Sequence, residues 1–340
     1  MQITRRRCLV PLGTAAIAAC LLPPLFSASA GAADKPNPKQ AFLDADAAGP
    51  DFAIQGEYEG THGSAKLGAQ VIALGNGNFR AVLYTGGLPG AGWDGKTKIS
   101  LPGQFQAQQA EFSGSGYSGT VTASGSGFSG KDDQGVAFSL NKVLRKSPTL
   151  SARPPEGAMV LFDGTDVKHW QKGKLEEGDL LGVGTRTKQE FRDFELHLEF
   201  RTPFMPFARG QGRGNSGMYL LDQYEVQVLD SFGLEGVDNE CGGIYKVARP
   251  SVNMCLPPLS WQTYDVEFRA ARLDENGRQT APAVATIRHN GVVIHDGLEL
   301  KSPTPGGGRN DQKPGPLFLQ NHGDPVRFRN IWVVEKQAAE

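Results

Sequence analysis

The chain has 340 residues, a net charge of −1, 44 glycines and 22 prolines. With no basic excess, nucleic acid is not an expected partner. Glycine and proline at this density, with little helical periodicity, exclude a helical bundle and predict an all-β chain rich in turns.

The first predicted element is an export signal over residues 1–30: Thr4-Arg5-Arg6-Arg7 is a basic leader, Cys8 to Phe26 an apolar run, and Ala28-Ser29-Ala30 a small-residue cleavage site. The run is short and broken by Pro23 and Pro24, so no transmembrane segment is expected. The leader suits twin-arginine or general export. An alternative reading makes Ile17-Ala18-Ala19-Cys20 a lipoprotein box anchored through Cys20, although Leu21 and Leu22 after it are apolar. The expected location is periplasmic or extracellular. Cys241 and Cys255 then remain, and outside a reducing cytosol they are expected to form a disulfide worth about 3 kcal/mol.

After a disordered lead over residues 31–40, residues 41–146 alternate short strands with glycine turns. Gly75-Asn76-Gly77 marks a hairpin. Phe112-Ser113-Gly114, Tyr117-Ser118-Gly119 and Phe128-Ser129-Gly130 recur as an aromatic-Ser-Gly unit, read as turn punctuation in a small antiparallel β-meander of unknown role. Residues 147–157, with Pro148, Pro154 and Pro155, read as a linker. A second domain follows over 158–336. Phe194 to Arg201 and Tyr264 to Arg269 alternate apolar and polar residues, and Asn290-Gly291 suits a tight turn. About a dozen strands without a helix imply two antiparallel sheets packed face to face, a jelly-roll sandwich.

Within that domain Tyr224, Val226 and Val228 alternate with Gln223, Glu225 and Gln227. The apolar face suits a core. The polar face is a ladder of two amides around one acid, which suits sugar hydroxyls that both donate and accept, or is a solvated outer face. His197 and Glu199 share a face expected to be solvated, and Asp163-Gly164-Thr165-Asp166 reads as a turn capped by Asp rather than a calcium loop.

Several motifs in order carry a family resemblance: Leu161-Phe162-Asp163-Gly164-Thr165-Asp166 with Trp170, Phe191 to Leu196, Gly214-Asn215-Ser216-Gly217, Tyr224 to Asp230, Gly243-Ile244-Tyr245, Leu319-Gln320-Asn321-His322-Gly323 and Phe328-Arg329-Asn330-Ile331. Over about residues 158–335 the chain resembles the 3-keto-disaccharide hydrolase family. The resemblance implies a concanavalin A-like lectin/glucanase fold and cleavage of 3-keto-glycosides. Residues 202–213 depart from the pattern, and are expected to form one wall of the groove beside Asn215.

An ordinary glycosidase needs two carboxylates, whereas the strand at 223–228 holds one. A ketone at C3 acidifies the C2 proton, so one base suffices. The expected site therefore has Glu225 as base or metal ligand and His322 as acid/base partner. Arg201 and Gln227 would hold the ketone or hydroxyls, Asn215 and Gln320 would orient the sugar, and Tyr245 would stack on it. A divalent metal ion at Glu225 and His322 is the one cofactor considered. The alternative is a non-catalytic, lectin-like carbohydrate-binding protein, and a third reading, a glycosidase for ordinary glycans, requires a second acid within roughly 5–10 Å of Glu225.

Overall fold

A computed structural model of the chain describes residues 36–337; the segment expected to be an export signal, with Cys8 and Cys20, lies outside the described residues. The described residues from Asn37 onward form one compact unit. Of the lead expected to be disordered, residues 31–35 lie outside the described residues, whereas at 37–40 the Gln40 N–H donates to the Asn37 carbonyl at 3.0 Å and Lys39 pairs with Asp324 at 2.8 Å. Among the described residues helix is confined to Pro50–Ile54 and a 3-10 turn at Gly210–Gly212, and no helix is long and apolar enough to cross a membrane.

The front part is a meander that closes on itself. Eight antiparallel strands from Gly56–His62 to Ala137–Val143 pair in sequence order, and the last returns to the first. The aromatic-Ser-Gly units build this closure. Phe112 and Phe128 point into the barrel core, and the serines face outward. Gly119 and Gly130 leave room for aromatic rings: a Cβ on either would lie 2.6–2.7 Å from the Phe138 ring. Closure removes the exposed edges that an open meander would present.

The second part is two antiparallel sheets. One has five strands in the order Trp170–Gln171, Thr185–Thr187, Phe318–Leu319, Ser216–Leu220 and Tyr224–Val228. The other has eight, with Arg327–Glu335, Phe194–Arg201, Gln262–Arg269 and Ala283–His289 adjacent at its centre. Alternation along these strands sends Met218, Leu220, Tyr224, Val226 and Val228 from one sheet, and Leu196, Phe200, Val266 and Ile287 from the other, into one shared core. Asn76-Gly77 and Asn290-Gly291 are both left-handed and make two-residue hairpin turns.

Residues 147–157 do not hang between the two parts. They strap across the outer face of the eight-stranded sheet: the Ser147 and Thr263 hydroxyls lie 2.6 Å apart, the Thr149 hydroxyl donates to Asp265 Oδ2 at 2.6 Å, and the Ser151 N–H donates to Glu199 Oε1 at 2.5 Å. This strap corrects the expectation of a solvated face at His197 and Glu199, both of which are fully buried. His197 Nδ1 lies 2.6 Å from Asp265 Oδ1. Burial opposes its charge, but hydrogen bonds to Asp265 and Glu199 outweigh that and raise the imidazole pKa.

The loop at 202–213 mainly joins barrel to sandwich. Phe204 enters the barrel core, Arg209 donates to the Leu74 carbonyl at 2.7 Å, and a Cβ on Gly75 would lie 2.4 Å from the Phe207 ring. Ile72, Val82 and Tyr84 on the barrel's outer face complete the contact by joining the sandwich core.

Candidate functional site

Tyr224–Val228 is the edge strand of the five-stranded sheet, and its polar face is covered rather than solvated. Gln223, Glu225 and Gln227 are all buried. Two loops close the strand edge: the Tyr245 N–H donates to the Glu225 carbonyl at 3.2 Å and the Gln227 N–H to the Gly243 carbonyl at 2.9 Å, while Thr304 Oγ1 accepts the Glu225 N–H at 2.8 Å. Between these loops lies a pocket of about 270 Å³.

Asn215, Glu225, Gln227, Tyr245, Gln320 and His322 all line that pocket. Glu225 and Gln227 come from the strand Tyr224–Val228, Asn215 from just before Ser216–Leu220, and Tyr245, Gln320 and His322 from loops. Gln320 follows Phe318–Leu319, which pairs with Ser216–Leu220, and the Ser216 hydroxyl donates to the Gln320 carbonyl at 2.7 Å. Gln223, in contrast, points away and clamps a loop, donating to the Lys313 carbonyl at 2.9 Å and accepting the Gln312 N–H at 2.6 Å.

The pocket also contains residues not singled out in the sequence: Gln211, Tyr219, Lys246, Pro305 and Gly306. Tyr219 sits directly opposite Glu225 across the hairpin, and its hydroxyl donates to Glu225 Oε2 at 2.7 Å. The Gln320 amide donates to the Tyr219 oxygen at 3.1 Å. Turned so that its nitrogen meets acceptors, the Gln227 amide donates to Glu225 Oε1 at 2.9 Å and to the Ser216 carbonyl at 3.0 Å. Gly217, opposite Gln227, makes room: a Cβ there would lie 2.3 Å from Glu225 Oε1. Gly306 plays the same part for Tyr219, whose hydroxyl would be 2.6 Å from its Cβ.

Burial pushes the Glu225 carboxyl up to about 7, against the opposing pull of the Tyr219 hydrogen bond. A carboxylate poised near neutrality can take a proton and return it. Lys246 brings a cation and His322 an exposed imidazole to the rim.

The turn that aligns the two strands is strained. Leu221 and Asp222 both take left-handed conformations, with φ of 55° and 57°. They open the three-residue loop between the paired Leu220 and Tyr224, where the Gln223 N–H donates to the Leu220 carbonyl at 3.0 Å, and positive φ is costly for leucine. Asp222 pins it by accepting from Arg186 Nε at 2.7 Å and from the Gly308 N–H at 3.0 Å.

Two expectations need correction, and a third is met in part. Arg201 is not at this site; it projects from the eight-stranded sheet and lines a separate cleft with Trp261 and Arg329. Alternation placed it on a polar face, but that face belongs to the other sheet. Cys241 and Cys255 are buried free thiols rather than a disulfide, with Cys241 Sγ 3.3 Å from the Tyr264 hydroxyl. The loop at 202–213 supplies Gln211 to the pocket but otherwise anchors the barrel.

A divalent ion fits this donor set poorly. Glu225 and His322 are two donors, one short of the three protein ligands usual at catalytic zinc, and both Glu225 oxygens already accept hydrogen bonds. Among the described residues no group of three or more His, Cys, Asp or Glu is placed to hold a metal. Asp163 caps its own turn, accepting from the Thr165 N–H at 3.0 Å and hydroxyl at 2.6 Å.

A two-sheet β scaffold with one buried acid among amides and tyrosines suits a carbohydrate-active protein of the glycosyl hydrolase-like kind. Residues 157–334 match the family described as the 3-keto-alpha-glucoside-1,2-lyase-like domain, and the chain belongs to that family. It is also similar to crystal structures of proteins from Parabacteroides distasonis ATCC 8503, each described as a "putative glycosyl hydrolase". One is 33% identical, with a TM-score of 0.49 over 54% of this chain and 85% of that one. A second is 19% identical, with a TM-score of 0.40 over 57% of this chain and 99% of that one. No curated protein matches the chain.

Proposed function

We propose that the protein is an exported enzyme that cleaves 3-keto-glycosides by elimination across C1 and C2, followed by hydration. The observation that carries this reading is the single acid of the pocket, Glu225, buried and held near neutrality. Hydrolysis of an ordinary glycoside needs a second carboxylate across the bond, and the pocket lining contains none.

In this mechanism Glu225 removes the C2 proton, and the C2–H electron pair forms the enolate with the C3 ketone. Lys246 stands where Arg201 was expected and stabilises the enolate oxygen by its charge. The enolate re-forms the ketone and expels the C1 substituent, which takes a proton from His322. Water then adds at C1 of the resulting C1–C2 alkene and gives its proton to His322, while Glu225, its proton exchanged with solvent, protonates C2, so the sum is hydrolysis. Tyr219 and Gln227 hold the Glu225 carboxylate, while Asn215, Gln320 and Tyr245 orient the sugar ring.

The test compares 3-keto-trehalose with trehalose for the wild type and Glu225→Gln. Turnover of the oxidised sugar alone, lost by orders of magnitude in E225Q while binding persists, is the expected result. Equal turnover of both sugars would overturn the elimination route, and binding without turnover of either would leave a lectin.

A further inference from the structure

A second cleft, of about 630 Å³, lies where the barrel meets the sandwich. Its walls come from residues 43–45, the barrel's exit at 142–146, and residues 257–261 with Arg201 and Arg329. Clefts between packed substructures are common places for small ligands. Nothing in the chemistry assigned to Glu225 uses this one.

The charge lining it is unbalanced. Lys142, Arg145, Lys146, Arg201 and Arg329 face it, against the acids Asp44 and Glu57. Arg145 is neutralised by Glu57, with Nη2–Oε1 at 2.5 Å and Nε–Oε2 at 2.7 Å, and Arg329 by Glu199 at 2.7 Å. Among the described residues Lys142 Nζ meets no carboxylate: it donates to the Ala53 carbonyl at 2.5 Å and lies 5.8 Å from the Tyr58 ring centre. Two lysines and Arg201 are thus left facing one acid.

Arg201 is the least satisfied of them. It makes no hydrogen bond to any described residue, and its nearest carboxylate, Glu177 Oε2, is 3.9 Å away, beyond hydrogen-bond reach. Glu177 is already engaged by Arg327, at 2.8 and 3.0 Å. Only 20% of the Arg201 side chain is exposed, so a planar guanidinium has been taken largely out of water without a planar partner. Its fork geometry matches a carboxylate. Around it stand flat groups: Phe52, Pro257, Pro258 and the Trp261 ring, whose centre lies 5.1 Å from the Arg201 guanidinium carbon and 4.0 Å from that of Arg329. A bare inorganic anion would leave those walls idle, whereas a sugar ring can lay its C–H face on them.

We infer that this cleft binds a carboxylate-bearing sugar of the uronic acid class, with the carboxylate on Arg201 and the ring against Trp261. The cleft is separate from the Glu225 pocket, whose lining shares no residue with it. The inference therefore stands or falls independently of the reaction proposed above.

Isothermal titration with glucuronate, glucose and acetate tests it on the full chain. Glucuronate binding at least 10-fold tighter than either control is expected, because each control lacks one of the two contacts. Arg201→Met should abolish it, Arg201→Lys should retain part, and Glu225→Gln should leave it unchanged. Thermal melts establish that R201M is folded; if it is not, Lys142→Gln, expected to weaken binding at least 3-fold, takes its place. Equal affinity for glucuronate and glucose, undiminished binding in the folded cleft variant, loss of binding in E225Q, or no binding at millimolar glucuronate would each overturn the assignment.

Discussion

The Tyr219 hydroxyl lies 2.7 Å from Glu225 Oε2 because the two residues face each other across one hairpin. This contact opposes the rise in proton affinity that burial imposes on the acid. Burial raises the Glu225 pKa to about 7, and the tyrosine's hydrogen bond keeps it from rising further. The activity of a base requires its ionised form, so kcat/KM should rise with pH through about 7. Tyr219→Phe removes the opposing hydrogen bond, and the rising limb should move to higher pH. A pH–rate profile of the two proteins checks this; an unmoved limb would separate Tyr219 from the acid.

Gly217 provides the space that Glu225 occupies. Gly217→Ala would put a Cβ 2.3 Å from the present position of Oε1 and 3.0 Å from the Tyr219 ring. The carboxylate must swing away, so kcat/KM should fall by at least about 10-fold, in line with the sensitivity of such geometry. Alanine otherwise suits a strand better than glycine, so the melting temperature should change little. A large loss of stability with unchanged activity of the folded fraction would contradict this reading.

The raised pKa of Glu225 is also a cost to the fold. Its folded value of about 7 exceeds the unfolded value near 4.5, so the native state holds the extra proton between these limits and stability falls as pH rises through them. The full cost above pH 7 is on the order of 3 kcal/mol. Glu225→Gln cannot ionise, and should be more stable than the wild type at pH 8, with a smaller difference at pH 5. Urea melts at the two pH values measure this.

His197 fastens the strap from beneath. Its pKa is raised, so the stability it contributes is fully present below the unfolded value of about 6.5 and is lost as pH climbs through the folded value. Glu199 is held ionised at about 2 by hydrogen bonds from His197, Asn330, Arg329 and the Ser151 N–H, which together overcome its burial. His197→Gln should therefore destabilise more at pH 6 than at pH 9. Limited proteolysis should cut near 147–154 faster in the variant at pH 6.

Much of the sandwich was legible because side-chain alternation has no rival explanation in strands such as Phe194–Arg201, and because Asn76-Gly77 and Asn290-Gly291 announce left-handed turns. The Leu221-Asp222 turn carries no such signal, since neither residue favours positive φ; tertiary contacts to Asp222 impose it. Tyr219 was hidden for that reason. Once the loop is fixed at the three residues between Leu220 and Tyr224, counting back from Glu225 lands on Tyr219 and from Gln227 on Gly217. Arg201 shows the converse limit: periodicity assigns a residue to a face, but not to one of two sheets. The cysteine pairing rested on compartment rather than geometry, and the closure of the barrel depends on contact between its first and last strands, which no local pattern encodes.

The central claim is that Glu225 takes a proton from carbon rather than assisting water at C1. Cleavage of a 3-keto-glucoside in deuterium oxide, followed by NMR of the released sugar, tests it most directly. Deuterium should appear at C2 with the wild-type protein, and neither label nor product with E225Q. Product that keeps its original C2 hydrogen would contradict the account.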